Sequence, residues 1–109
     1  SAELARAPVT TRPEPDFSAL PSDEQALSDL NFRQRRMVRR AQTRCSAEGG
    51  AVTGGPCVRG VVDREVAREN DPALTAFHYA LPVQHRYDSE RASFVWKHVR
   101  DYAPNSAPE

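Results

Sequence analysis

The chain has 109 residues, one domain's worth, and none of its apolar runs approaches the roughly 18 residues a bilayer crossing needs, which excludes a membrane span. Hydrophobic residues make up 39% and charged residues 28%, with fifteen basic side chains balancing fifteen acidic ones. That suits a soluble globular protein and weighs against a general polyanion binder. A folded part of about 80 residues would bury only about 60–65% of the surface its unfolded chain exposes, so it gains from a staple or a partner.

The charge is segregated. Residues 1–30 carry six acids and two arginines, net −4; residues 31–59 carry seven arginines and one acid, net +6; residues 60–109 carry six bases and eight acids, net −2. Every basic residue but Lys97 is Arg, which a GC-rich genome supplies without any functional reason.

Residues 1–21 contain Pro8, Pro13, Pro15 and Pro21 and read as a flexible, acidic leader, with Phe17 and Leu20 as exceptions able to pack on the body. Such a leader follows a signal peptide or lipid anchor in many chains and is a plain disordered end in as many others. The expected helical domain spans 22–102, and a flexible tail covers 103–109.

Ser22 with Gln25 fits a capping box opening the first helix, and Asp23 and Glu24 suit its first turn. Leu27, Leu30, Met37, Val38, Ala41 and Cys45 form one stripe at helical spacing, and arginines fill much of the remaining circumference. The helix is expected to end near residues 46–48, ahead of a glycine-rich loop over 49–56. Pro56 then starts a second helix, because Val58, Val61, Val62 and Val66 follow helical spacing rather than strand alternation. Asn70-Asp71-Pro72 stops that helix and starts a short third one bearing Leu74, Phe77, Tyr79 and Leu81, which Pro82 ends or kinks. A last helix, starting at Pro82 or at Ser89, carries Phe94, Val95, His98, Val99 and Tyr102 on one face, with Trp96 to the side. The expected fold is an all-α bundle of three to four helices.

Cys45 and Cys57 fall on either side of the loop, at the end of one helix and the start of the next. An antiparallel hairpin would bring them together, so one disulfide is expected to pin it. Their separation is wrong for a CxxC redox motif, and no second pair completes a zinc site. A disulfide implies an oxidising compartment, hence a periplasmic or secreted protein.

His78, His85 and His98 read as surface or packing histidines, since no HExxH-like pattern surrounds them. There is no nucleophile elbow around a serine, and the glycine pairs lack a phosphate loop's spacing and lysine. A non-enzymatic protein without cofactor or metal is expected. The best functional feature is the arginine run: Arg33, Arg36, Arg39, Arg40 and Arg44, with Arg35 beside them. Arginine grips carboxylates and phosphates bidentately. Two readings follow: an acidic protein partner, with Trp96 as an added anchor, or a nucleic acid. The plain alternative is a solvated face pairing with Asp63, Glu65 and Glu69 of the second helix. Of the two binding readings the acidic protein leads, since the chain is neutral as a whole and a disulfide is expected.

Two cysteines around a helical hairpin, followed by Trp96 and Arg100-Asp101 on a late helix, resemble the small periplasmic lysozyme inhibitors of the LprI-like kind. The similarity covers about half the chain and lacks the further cysteines of that family. It implies a third function, inhibition of a cell-wall lytic enzyme.

Overall fold

The structure, a computed structural model, describes residues 16–47, 54–94 and 99. Residues 1–15, the tail, Trp96, His98 and most of the expected last helix lie outside the described residues. Within them the regular structure is helical: a 3-10 turn at Phe17–Ala19, then α1 (Glu24–Ala47), α2 (Pro56–Glu69), α3 (Pro72–Ala80) and α4 (Val83–Arg86). α1 packs along α2 and against α3, α2 touches α3, and the 3-10 turn docks on α3.

That turn moves the start of the folded body ahead of residue 22. The Asp16 carboxylate accepts from the Ser18 N–H at 3.0 Å and so caps the turn, and Phe17 and Leu20 pack on the core. The cap of α1 also falls one residue later than Ser22. Asp23 supplies it: its carboxylate accepts from the Ala26 N–H at 3.3 Å and its carbonyl from the Leu27 N–H at 3.1 Å. Its negative charge at the helix N-terminus adds to the capping bond.

The apolar stripes are as the spacing predicts. Leu27, Leu30, Met37, Val38, Ala41 and Cys45 are buried along α1, and Val58, Val61, Val62 and Val66 along α2. Sealing each such aliphatic side chain from water contributes about 1.5–3 kcal/mol, which outweighs valine's modest helix propensity. Cys45 in the last turn of α1 is bonded to Cys57 in the first turn of α2, with Cα atoms 6.0 Å apart. Gly54, at φ +74°, takes the left-handed turn just before α2, a conformation that favours glycine.

The break between α2 and α3 uses each residue of Asn70-Asp71-Pro72. Asn70 ends α2 in the left-handed region at φ 53°, and Pro72 sits in the first turn of α3. Asp71 has two roles: one carboxylate oxygen accepts from the Ala73 N–H and the other from Arg33 of α1, each at 3.0 Å. Partial burial pushes the Asp71 carboxyl up, but Arg33 and the N–H groups of Ala73 and Leu74 outweigh it and hold its pKa below 3.8. The stability that this group contributes is therefore present above that value and is lost as pH falls below it.

After α3, Pro82 opens only the four residues of α4. No helix starts at the expected Ser89: residues 89–92 form a turn capped by Asp88, whose carboxylate accepts from the N–H groups of Glu90 and Arg91. Ala92 and Val99 are buried in the same core.

Candidate functional site

At 100° per residue, the buried stripe of α1 faces away from a strip that contains Phe32, Arg36, Arg39 and Thr43. The arginines singled out from the sequence divide between this strip and its flank. Arg33 turns to the flank, where its guanidinium holds Glu69 and Asp71 at 3.0 Å each. Arg40 reaches Glu65 more loosely, at 3.4 Å, and Glu65 has a closer partner in Arg68 at 2.7 Å. Arg33 and Arg40 thus join α1 to α2 and the start of α3, with Glu65 and Glu69 acting as foreseen; Asp63 does other work.

Arg36 and Arg39 stay on the outer strip, where no described carboxylate forms an ion pair with either. Arg36, Arg39, Arg40, Thr43 and Arg44 line an open recess of about 460 Å³. One turn toward the N-terminus stands Phe32, which is 49% exposed. The guanidiniums of Arg35 and Arg36 both lie 5.7 Å from its ring centroid, within cation–π range. Sequence reasoning that sought apolar stripes passed over Phe32. The available signal was an aromatic residue three and four positions before two arginines, on the side opposite the stripe.

The second polar constellation is internal and holds no residue of the arginine run. His78 of α3 has no exposed surface. Its Nδ1 lies 3.1 Å from Gln34 Oε1 of α1, and its Nε2 3.1 Å from Asp63 Oδ1 of α2. Gln34 Nε2 donates to the Arg86 carbonyl at 2.8 Å, and the Tyr87 hydroxyl donates to the same Asp63 oxygen at 3.0 Å. A carbonyl only accepts, so the Gln34 amide must present its oxygen to the imidazole. Both ring nitrogens then face acceptors, a pattern that the imidazolium satisfies with two N–H groups. Arg86 completes the group by donating to the carbonyls of Leu81 and Tyr79 at 3.0 and 3.2 Å, which covers the open C-terminal end of α3. An Asp, a His and a Tyr together suggest proton transfer, but an imidazole sealed from solvent cannot meet a substrate. The cluster fixes how three helices meet.

Burial first, then the charge and hydrogen bond of Asp63, push the Tyr87 phenol up to about 12. Because the folded value lies above the unfolded one, Tyr87's contribution to stability is complete below about pH 10 and is lost between about pH 10 and 12. Following phenolate absorbance through an alkaline titration should show one late-ionising tyrosine that is missing in Tyr87→Phe. If wild type and variant gave the same curve, the buried Tyr87–Asp63 bond would be wrong.

Among the described residues no three His, Cys, Asp or Glu side chains gather as a metal ion would require, and no helix is long and apolar enough to cross a membrane. No family model, curated protein or solved structure matches the chain.

Proposed function

We propose that this protein is a non-enzymatic binding module of an oxidising compartment, periplasmic or secreted, that engages an acidic protein through the outer face of α1. The observation that carries the reading is the division of the arginines. Glu65, Glu69 and Asp71 are engaged with Arg33, Arg40 and Arg68, while Arg36 and Arg39 remain on the solvent side beside an exposed Phe32. Arginine and aromatic residues, Phe included, are enriched in protein–protein interfaces. The Cys45–Cys57 bond supports the compartment, because disulfides persist where thiols are not kept reduced.

The test is affinity capture from an extract of that compartment, comparing the wild-type chain with the Arg36→Gln/Arg39→Gln double variant. A protein retained by the wild type, released by salt and lost with the double variant is the expected outcome. Arg33→Gln is the internal control: it should keep the partner and lower stability by about 1 kcal/mol, since it unpairs two carboxylates. Retention of the same proteins by wild type and double variant would overturn the reading, and retention of nucleic acid would replace it.

A further inference from the structure

The proposed acidic partner can be specified further, and the specification rests on the reading above. We infer that the outer face of α1 recognises a segment in which clustered carboxylates lie beside an apolar side chain, the carboxylates meeting the exposed guanidiniums of Arg36 and Arg39 and the apolar group meeting Phe32. From Phe32 to Thr43 the strip runs eleven residues, about 16 Å along the helix axis. A short acidic segment spans that length.

Three observations support a two-part mode over attraction by charge alone. The first is the position of Phe32, 49% exposed and beside the Arg36 guanidinium, so that one ligand can touch both. Burying its ring edge adds an apolar preference that salt does not screen.

The second is the state of Arg40. Its contact with Glu65 is 3.4 Å long and its own side chain is 54% exposed, whereas Glu65 holds Arg68 at 2.7 Å. A ligand carboxylate can draw Arg40 outward and leave Glu65 still paired, so the outer face gains a third guanidinium without stranding an acid of the fold.

The third concerns nucleic acids. Single-stranded chains gain much of their affinity from bases stacked on aromatic faces. At Phe32 two guanidiniums already lie within cation–π range of the ring, so a stacking base competes with them for it. An aliphatic or aromatic side chain can use the ring edge and leave both in place.

Fluorescence polarisation at low ionic strength tests this on the full, disulfide-bonded chain. The probes are a glutamate-rich peptide with one central leucine, the same peptide with alanine there, and an oligothymidylate of equal charge. The leucine peptide should bind several-fold more tightly than the alanine peptide and more tightly than the oligonucleotide. Arg36→Gln/Arg39→Gln should weaken both peptides at least ten-fold. Phe32→Ala should erase the leucine preference while leaving the alanine peptide's affinity nearly unchanged. If the double variant weakens both peptides but leucine confers no preference on the wild type, the two-part mode fails and the acidic-partner reading stands. Tighter binding of the oligonucleotide, or no binding of any probe, would overturn both.

Discussion

Replacing Cys45 and Cys57 together by alanine is expected to lower the stability of the protein by about 3 kcal/mol, the chain-entropy value for a closed loop of this length. In a domain this small that is roughly 12–24 °C in melting temperature. The bond joins the last turn of α1 to the first turn of α2, and Cys45 is fully buried, so its loss also loosens the end of the α1 stripe. The native protein should have no free thiol, since Cys45 and Cys57 are its only cysteines. Thermal melts with and without reductant, beside the double variant, measure the effect. A reduced protein that melts with the oxidised one would show that the hairpin does not need its staple.

The second large effect is expected at His78. His78→Leu leaves Gln34 Oε1 without its donor inside the core and removes a partner of Asp63, at a cost of about 3 kcal/mol. Gln34→Leu removes the opposite side of the same bond and frees the Arg86 carbonyl. Since the residues act as a unit, the double variant should be less destabilised than the two single effects summed, by about 1–2 kcal/mol. Urea denaturation of the four proteins gives the cycle. Additive effects, or a His78→Leu cost under about 1 kcal/mol, would mean that the network orders nothing, as would be expected of a surface-like site.

The helices were legible because their information is local. The stripe from Leu27 to Cys45 and the four valines of α2 repeat at helical period, and Asp71-Pro72 carries its own start signal. The cysteine pairing followed from placing two residues at adjacent helix ends. Gln34 was not legible. It occupies a stripe position between Leu30 and Met37, but its polarity removes it from any apolar pattern, and its burial depends on His78 and Arg86 arriving from distant segments. The division of the arginines was not legible for a similar reason. Arg33, Arg36 and Arg40 share spacing on a helix, so the sequence alone placed them on one face with a common role. Which of them turns inward is decided by where Glu65, Glu69 and Asp71 come to rest, a property of how α2 and α3 pack. Removing Arg33 with Arg36 and Arg40 would therefore disturb the fold as well as the outer face. Phe32 was not legible because it lies outside the core stripe, where a single exposed aromatic residue carries no periodic signal.

Contact between the outer face of α1 and an acidic protein is central to the proposed function. The most direct measurement is photo-cross-linking in the cell, with a benzophenone amino acid in place of Thr43, which lines the recess, and in a second protein in place of Val83, an exposed apolar residue on α4. A discrete protein adduct is expected from position 43 only, with the cross-link mapping to a segment rich in Asp and Glu. Adducts of equal yield from both positions, an adduct with nucleic acid, or no adduct from position 43 would contradict the proposed function.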